Sequence, residues 1–173
     1  MRIGLLSDTH GFLDPAILEY FAAVDEVWHA GDFGPGVLAP LQAFGKPLRG
    51  VYGNIDGDEI RNEFTRDLGW ECEGLRVYMT HIGGYPGAYE RRVKPELDAR
   101  RPGLFICGHS HIVKVIRDPA RQLIHLNPGA CGRQGWHVVR TLLRFTVSEG
   151  KLSAMEAIEL GPRSAHPSPD PSP

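Results

Sequence analysis

Short apolar runs that end at polar loops mark the first third of the chain. Three such runs are each followed within two residues by an aspartate or an asparagine: residues 3–6, 26–30 and 47–52. Runs of this length predict buried strands. Between them, Asp14 and Pro15 predict a helix start, since aspartate caps free N–H groups and proline suits the first helical position. A less well bounded helix is predicted at residues 37–44. The alternation of strand and helix predicts parallel strands with crossover helices.

Beyond residue 60 the strands follow one another with little helix between them. Residues 88–101 are predicted as a helix that breaks or restarts at Pro95. The strands predicted here lie at residues 75–80, 104–107, 113–117, 122–126, 138–147 and 152–158. Hairpin-like turns at Asp118-Pro119 and Glu149-Gly150 join some of them. The pattern predicts a second, largely antiparallel sheet packed on the first, with helices on the outer faces.

Length and composition are those of an ordinary globular domain. The chain has 173 residues, of which 42% are hydrophobic and 23% charged. This is enough for one domain with a sizeable core, and we expect that domain to span residues 1–160. Residues 161–173 are rich in proline and serine and leave little to bury, so a disordered tail is predicted there.

Net charge and cysteine content limit the classes of function and the cellular compartments that the sequence is compatible with. A formal net charge of -2 offers no basic field for a nucleic-acid backbone, so a small substrate is expected and an obligatory nucleic acid is not. Three widely spaced cysteines without a Cys-x-x-Cys pair indicate free thiols in a reducing compartment. Neither a membrane-spanning run nor a signal-peptide pattern is seen, so we expect a cytoplasmic protein with no membrane partner. A homo-oligomer remains open as an alternative.

The polar loops carry the donor set of a metal site. Carboxylates, imidazoles and one neutral amide recur there without a thiolate, a mixture that suits divalent transition metals and argues against a structural zinc site. Asp8 and His10 alternate about one residue, so an extended segment would present both on one face. The full set of predicted ligands is Asp8, His10, Asp32, Asn54, His81, His109 and His111.

Asp32 is the natural bridge between two cations. A carboxylate can donate one oxygen to each of two metals about 3.5–4 Å apart, and Gly31 lets the loop pass close to them. Two divalent cations against two ligating aspartates leave a charge of about +2, which favours an anionic phosphoryl group. A water between the metals can be deprotonated near neutral pH. The predicted chemistry is therefore hydrolysis of a phosphate ester.

These motifs resemble those of the calcineurin-like metallophosphoesterases. The family pattern reads D-x-H, G-D, G-N-x-D or G-N-H-E, a strand-end histidine, and G-H-x-H. The chain has all five in order: Asp8-Thr9-His10, Gly31-Asp32, Gly53-Asn54-Ile55-Asp56, His81 and Gly108-His109-Ser110-His111. The Asp-Thr-His-Gly opening and the small size are most similar to the small microbial phosphodiesterase branch, which is related to the retromer vacuolar-sorting subunit. Asn127-Pro128-Gly129 matches a further segment of that branch.

The resemblance implies a fold, a ligand set and a cofactor. The fold would be α/β (α+β), a four-layer αββα sandwich of two facing mixed sheets with helices on the outer faces. One metal would be bound by Asp8, His10, Asp32 and His111. The other would be bound by Asp32, Asn54, His81 and His109. The two divalent ions would be Mn²⁺, with Zn²⁺, Fe²⁺ or Ni²⁺ as alternatives. The residues implied to be catalytic are Asp32, Asn54 and His109.

The chain departs from the family pattern at two positions. Many relatives have a histidine after the asparagine that helps to protonate the leaving group, and here the residue is Ile55. Acid catalysis is worth about 10²–10⁴-fold, so activated leaving groups are expected to react faster than alkyl esters. Asp56 is expected to orient another group instead of acting as the acid. His81 is followed by Ile82-Gly83-Gly84 where close relatives have glycine at once, so a different loop shape is expected.

Several further residues have a structural and a functional interpretation. His29 and His125 lie in predicted strands and are interpreted as core or edge histidines with satisfied hydrogen bonds. Asn127-Pro128-Gly129 is an ordinary turn unless the family match is considered.

Two loops hold candidate substrate contacts. Arg133, Trp136 and His137 could bind a phosphate or stack on a base, although a surface loop is the favoured interpretation. Tyr85 could line the substrate pocket. The substrate-binding residues predicted from the sequence are Asn54 and Arg133.

Three functions compete. The favoured one is a dinuclear-metal-dependent phosphoesterase that hydrolyses phosphodiesters, with phosphomonoesters as a further substrate class, by attack of a metal-bridging hydroxide. The alternative is a non-catalytic protein-binding scaffold that keeps the same fold, as the retromer relative does. Loss of metal ligands would indicate such a scaffold, and none is lost here. Ile55 is therefore the only residue that favours this alternative. A nuclease is disfavoured, since the chain has no basic tract.

Overall fold

A computed structural model describes residues 1–164 of the chain. In this range the backbone forms two five-stranded sheets and one two-stranded ribbon. The strands are β1 (Arg2–Leu6), β2 (Glu26–His29), β3 (Leu48–Gly50), β4 (Asp67–Cys72), β5 (Leu75–Thr80), β6 (Gly84–Tyr85), β7 (Ala88–Tyr89), β8 (Leu104–Ile106), β9 (Val113–Asp118), β10 (Leu123–Pro128), β11 (Val139–Ser148) and β12 (Lys151–Pro162). The helices are α1 (Pro15–Tyr20), α2 (Leu38–Ala43), α3 (Asp58–Glu63) and α4 (Val93–Arg100).

The first sheet contains the predicted parallel unit. Its order is β12-β11-β1-β2-β3, in which β1, β2 and β3 are parallel and α1 and α2 are the crossover helices. The Asp14 carboxylate accepts a hydrogen bond from the Ala16 N–H at 3.1 Å, and Pro15 occupies the first helical position. The predicted start of α1 is confirmed, and the parallel arrangement brings three strand ends to one edge.

The second sheet has the order β4-β5-β8-β10-β9. Strands β5, β8 and β10 are parallel, and β4 and β9 pair antiparallel at the two edges. The prediction of a largely antiparallel sheet containing residues 138–158 was wrong. Strand β11 instead pairs antiparallel with β1, and β12 pairs with β11, so both belong to the first sheet. A local pattern indicates a strand but does not indicate which sheet the strand joins.

An apolar layer, which we call the inter-sheet core, fills the space between the two sheets. Trp28 at its centre is fully buried and meets Trp70 and Phe145 edge to face, with ring centroids 4.9 and 5.6 Å apart. Large aromatic side chains contribute most of the area buried in such a core. This layer holds the two sheets face to face.

The helices cover the outer faces of the sheets. Ile17 of α1 and Leu41 of α2 are buried in a cluster against the first sheet. Val93 and Leu97 of α4 are buried against the second sheet. The predicted fold class, a four-layer αββα sandwich of two mixed sheets, is confirmed.

The region between β3 and β8 differs most from prediction. Helix α3 and strand β4 were not predicted, and α4 begins at Val93 instead of residue 88. Pro95 lies in the first turn of α4, where it removes no helical hydrogen bond, so the predicted break does not occur. Residues 84–89 form the β6–β7 ribbon, which gives the loop after His81 its own shape.

The carboxyl end of the described chain is β12. Its strand continues through Pro162, two residues beyond the expected domain boundary, while residues 165–173 of the predicted tail lie outside the described residues. Among residues 1–164, no helix is long and apolar enough to cross a membrane.

Candidate metal centre

Loops from both sheets meet at one rim of the molecule, and all predicted metal ligands lie there. The rim is closed by backbone hydrogen bonds between neighbouring loops, such as Asp8 N–H to Gly31 O and Gly108 N–H to His81 O, both 3.0 Å. The ligands follow β1, β2 and β3 of the first sheet and β5 and β8 of the second: Asp8, His10, Asp32, Asn54, His81, His109 and His111.

The first of two ligand clusters consists of Asp8, His10 and His111. One donor atom from each lies within 4.8 Å of the others. The His111 Nε2 is 3.2 Å from Asp8 Oδ1 and 3.2 Å from His10 Nε2. These three residues belong to the set that the family resemblance assigns to one metal.

The second cluster consists of Asp32, His81 and His109, and its donor atoms also lie within 4.8 Å of one another. His81 Nε2 is 3.2 Å from Asp32 Oδ2. The His81 and His109 rings meet edge to face with centroids 5.3 Å apart. Asn54, exposed at the end of β3, lines the same cavity as His81.

Asp32 lies between the two clusters. Its Oδ2 is 3.2 Å from His81 Nε2 in one cluster and 3.6 Å from His10 Nε2 in the other. Its Oδ1 accepts a hydrogen bond from the Ile55 N–H at 3.1 Å, which holds the carboxylate in orientation. This is the position that a carboxylate shared by two cations requires.

Unpaired buried atoms test whether the site fits a cation. Within residues 1–164, Asp8 Oδ1 and His81 Nε2 are buried without a hydrogen-bond partner, although buried polar atoms nearly always have one. His81 Nδ1 lies 2.8 Å from Ala30 O, which favours the tautomer with its Nε2 lone pair facing the centre. These two lone-pair donors lie 3.9 Å apart, one in each cluster, and a divalent cation in each cluster would satisfy them.

The backbone of the rim is strained where the ligands lie. Non-glycine residues in the left-handed region cost on the order of 1–3 kcal/mol each and cluster at functional sites. Five of the predicted ligands have a positive φ: Asp8 (54°), His10 (48°), Asp32 (58°), His109 (65°) and His111 (57°). The strain turns these side chains out of the strand direction and toward a common centre.

Charges within the rim shift the pKa values of its residues. Burial by itself would raise the pKa of Asp32, but the His81 imidazole, whose Nε2 lies 3.2 Å from Asp32 Oδ2, lowers it overall. Burial would lower the pKa of His81, and the two carboxylates Asp32 and Asp8 raise it overall. Burial and repulsion by His81 lower the pKa of His109. A cation at this site would compete with the proton on His81.

Asp56 connects the ligand loops through hydrogen bonds to their backbone. Its buried carboxylate accepts hydrogen bonds from the backbone N–H groups of Asp32 and Gly34 at 3.0 Å and of Gly53 at 2.7 Å. The bonds from Asp32 and Gly34 tie the β2 loop to the β3 loop, and the bond from Gly53 closes the turn within the β3 loop. Asp56 therefore orients the ligand loops, as expected, and its oxygens are engaged with backbone instead of facing the cavity.

The two strand histidines differ from each other. His29 is buried and stacked on Phe33, with Thr9 Oγ1 3.0 Å from its Nε2 and the Gly31 N–H donating to its Nδ1 at 3.2 Å. Its interpretation as a satisfied core histidine is confirmed. His125 is also buried, but neither ring nitrogen has a hydrogen-bond partner among the described residues. The prediction of satisfied hydrogen bonds was wrong for His125, because the outer face of β10 is apolar there.

The candidate substrate contacts lie beside the rim. The Arg133 guanidinium stacks over the Phe12 ring at 4.0 Å, and the exposed Trp136 follows in the same loop. The His137 ring lies 5.2 Å from that of His111. Tyr85 borders a small cavity on the His109 side, where the Lys114 ammonium lies 3.7 Å from its ring centroid.

Sequence reasoning missed three arginines at the site. A cavity beside Asn54 and His81 is lined by Arg61, Arg66 and Arg92. Arg61 lies on α3 and Arg66 just before β4, two elements that were not predicted. No spacing signal connects them with Arg92, because the fold alone brings these segments together.

A four-layer αββα sandwich with two aspartate–histidine clusters at its strand ends is the arrangement expected of a metal-dependent phosphoesterase. The profile of the calcineurin-like phosphoesterase superfamily domain matches residues 1–150, and the chain belongs to this superfamily. A search of curated proteins finds no match.

Solved structures share the fold at low sequence identity. An archaeal phosphodiesterase superposes with a TM-score of 0.73 at 22% identity, covering 92% of this chain and 100% of its own. Vps29 from Entamoeba histolytica complexed with Zn²⁺ gives a TM-score of 0.72 at 12% identity, covering 95% and 100%. A predicted phosphoesterase from Streptococcus pneumoniae gives 0.64 at 19% identity, covering 91% and 97%. At these identities the likeness concerns the fold alone.

Proposed function

We propose that this protein is a phosphoesterase that hydrolyses phosphodiesters at a centre of two divalent cations, with Mn²⁺ as the activating ion. The observation that carries the proposal is the position of Asp32, within 3.6 Å of histidines from both ligand clusters. Membership of the superfamily supports metal-dependent phosphoester chemistry in general. The restriction to diesters and to manganese is our proposal.

The chain's own residues would hold and orient the reacting groups. Two bound cations would supply Lewis acidity toward the phosphoryl oxygens and a water activated near neutral pH. Asp8, His10 and His111 would hold one cation together with Asp32. Asp32, Asn54, His81 and His109 would hold the other. Ala30 O keeps the His81 ring in orientation, and the His109 N–H donates to Asp8 Oδ2 at 3.1 Å, which ties the two clusters together.

The leaving group would depart without help from a proton donor at residue 55. Ile55 is 46% exposed beside Asn54 and has no titratable group. The neighbouring Asp56 is buried and accepts three backbone hydrogen bonds. The site therefore suits esters whose leaving group is stable as an anion.

We further propose a small phosphate ester as substrate and the cytoplasm as the compartment. The net charge of -2 offers no extended basic surface for a polymer, and the three free cysteines, all buried, suit a reducing environment.

The test is hydrolysis of bis(p-nitrophenyl) phosphate by purified protein. We expect turnover with added Mn²⁺ and its loss on chelation. His109→Ala should reduce the rate at least a hundredfold, since it removes a ligand without opening the core. Equal turnover by His109→Ala, or turnover that survives exhaustive chelation, would refute the metal mechanism.

The scaffold function remains the second candidate, and the similarity to Vps29 favours it. The Vps29 structure from Entamoeba histolytica is complexed with Zn²⁺, so metal binding does not separate the two candidates. Hydrolysis does. A metal-loaded protein that turns over neither diesters nor monoesters would reverse the order.

A further inference from the structure

A cavity of about 300 Å³ opens beside the second ligand cluster. Asn54 and His81 form the side toward the proposed metals. Arg61, Arg66 and Arg92 form the rest of its charged lining, and we call this cavity the arginine pocket. Its volume is at the lower end of the range for small-molecule sites, about 300–1,000 Å³. A group bound in it would lie directly next to a phosphoryl group held at the metal centre.

Arg92 is already paired and forms the wall of the pocket. Its Nη1 donates to both carboxylate oxygens of Asp67, at 2.7 and 2.9 Å, and its Nη2 donates to Thr80 Oγ1 at 2.7 Å. Tyr78 donates a further hydrogen bond to Asp67 at 2.9 Å. The Asp67 charge balances that of Arg92, so this arginine does not supply the positive charge of the pocket.

The positive charge of Arg61 is not compensated by its hydrogen-bond partners, because they are neutral backbone carbonyls. Its Nε donates to Asp56 O at 2.6 Å and its Nη2 to Gly53 O at 3.3 Å. Its guanidinium lies over the Tyr52 ring, 4.3 Å from the centroid. These contacts fix the side chain beside the Asn54 loop, and in the part of the chain that the structure describes no carboxylate neutralises it and no acceptor engages its Nη1.

Arg66 is exposed and makes no ion pair among the described residues. It projects from the segment between α3 and β4, which is attached to β3 by the Val51–Thr65 bridge and the Tyr52 N–H to Thr65 O bond at 3.1 Å. Its backbone is therefore held while its guanidinium is free. A free guanidinium on an anchored segment, next to a second one, suits a planar or tetrahedral anion.

The positive charge of this pocket contrasts with the protein as a whole, which has a net charge of -2. Arginine recognises carboxylate and phosphate groups through paired N–H donors. The phosphoryl group undergoing hydrolysis would be held by the metals, so the arginines are available for a different group of the same molecule.

We propose that the arginine pocket binds a second anionic group of the substrate, a phosphate or a carboxylate on the ester portion next to the reacting phosphoryl group. The natural substrate would then be a phosphoester with an additional negative charge, and Arg61 and Arg66 would determine this specificity. The inference rests on the proposed function for the placement of the reacting phosphoryl group.

The test compares three inert phosphonates of similar length by calorimetry on the Mn²⁺-loaded protein. Propylphosphonate has no second anion, 3-phosphonopropionate has a carboxylate, and ethylene-1,2-diphosphonate has a second phosphonate. We expect at least one of the latter two to bind about tenfold or more tightly than propylphosphonate, the range of a charge-assisted hydrogen bond. Which of them binds better decides between carboxylate and phosphate.

Variants locate the effect. Arg66→Ala should abolish most of the preference for the second anion, Arg66→Lys should keep part of it, and both should melt as the wild type does, because the side chain is exposed. Lys114→Ala is the matched control. Lys114 is also a cation near the metal centre, but it lines a separate cavity together with His109 and not the arginine pocket. If Lys114→Ala lost the preference for the second anion to the same extent, the preference would come from the overall positive charge near the centre. The assignment to the arginine pocket would then be wrong.

Equal binding of all three phosphonates to the wild type would also overturn the inference. Hydrolysis of bis(p-nitrophenyl) phosphate by the same preparation would then show that the proposed function stands and only the pocket assignment has failed. Absent hydrolysis would show that the proposed function itself has failed.

Discussion

The rim of ligand loops and the inter-sheet core are opposite in their physical chemistry. In the core, Trp28 is fully buried and packed edge to face against two aromatic neighbours. At the rim, Asp8 is just as buried, yet its Oδ1 has no hydrogen-bond partner among the described residues and its backbone is left-handed. The core gains stability from every contact, whereas the rim gives up local stability to hold ligands in place. The rim is therefore stable because the core holds the strand ends that carry it.

Cation binding should affect these two regions differently. A cation binds the assembled rim and not the unfolded chain, so it stabilises the native state by mass action. Changes at the rim should therefore act on metal binding and activity, and changes in the core should act on folding.

Replacing a rim carboxylate gives the largest expected effect. Asp8→Asn keeps the size of the side chain and an oxygen for the His109 N–H bond, but removes the charge that a cation needs. We expect hydrolysis to fall about 10³-fold and Mn²⁺ to stop raising the Tm, because a ligand to the metal is weakened. When a chelator removes the metal, the free energy of unfolding of this variant should differ from that of the wild type by only about 1 kcal/mol.

The control for this variant is Asp98→Asn, an exposed carboxylate on α4. It should leave activity and the manganese shift as in the wild type. Manganese-dependent turnover that persists in Asp8→Asn would break the distinction between rim and core.

A matched pair of tryptophans tests the core. Trp28→Ala empties the centre of the inter-sheet core and should lower the free energy of unfolding by about 3–5 kcal/mol. Trp136→Ala removes a side chain that is fully exposed and should change it by only about 0.5 kcal/mol. Urea unfolding in chelator measures both. Similar losses in the two variants would mean that the core does not carry the stability assigned to it.

A pair of glycines tests the contact between rim loops. A Cβ at Gly53 would collide with the Asp32 carboxylate, whereas one at Gly57 meets nothing within 4 Å. Gly53→Ala should lower the free energy of unfolding by about 1–3 kcal/mol, in the range of overpacking, and weaken manganese binding as well. Gly57→Ala should change stability by about 1 kcal/mol or less and leave metal binding intact. Calorimetric titration with Mn²⁺ checks the difference, and equal affinities would contradict it.

His125 gives a pH dependence of the free energy of unfolding that belongs to neither the rim nor the core. Burial, and to a lesser extent the charge of Lys114, lower its pKa from 6.5 to about 4. Because the unfolded chain then takes up the proton first, stability is fully present above about pH 6.5 and is lost as the pH falls toward 4. Between about pH 7.5 and pH 5 the loss should be about 2 kcal/mol.

His125→Leu should remove this part of the pH dependence and leave the part due to the rim. The measurement is urea unfolding of both proteins at the two pH values in chelator. Parallel pH dependence in wild type and variant would show that His125 does not titrate as its surroundings imply.

The sequence predicted much of the fold because its strands are short, apolar and separated by clear loop signals. Strands ending at Asp8 and Asp32 and the helix start at Asp14 all follow from local patterns. The alternating Leu68 and Trp70 of β4 are a local signal for that strand. The partner of β11 was not predictable, since the choice between two sheets depends on contacts far apart in the chain.

The predicted ligands come together, whereas the arginine pocket had no local signal. Asp8, Asp32 and His81 each end a strand, and parallel strands bring such ends to one edge. Arg61 and Arg66 lie on a segment whose fold was not predicted, so their position beside His81 follows only from the structure. Likewise, the left-handed backbone of Asp8 and Asp32 is set by neighbouring loops and not by the residue types.

The central claim is that Asp32 is shared by two cations. Anomalous diffraction from a crystal soaked in Mn²⁺ tests it most directly. We expect two manganese peaks about 3.5–4 Å apart, one on each side of the Asp32 carboxylate. A single peak that Asp32 does not contact, or no peak at the rim, would contradict it.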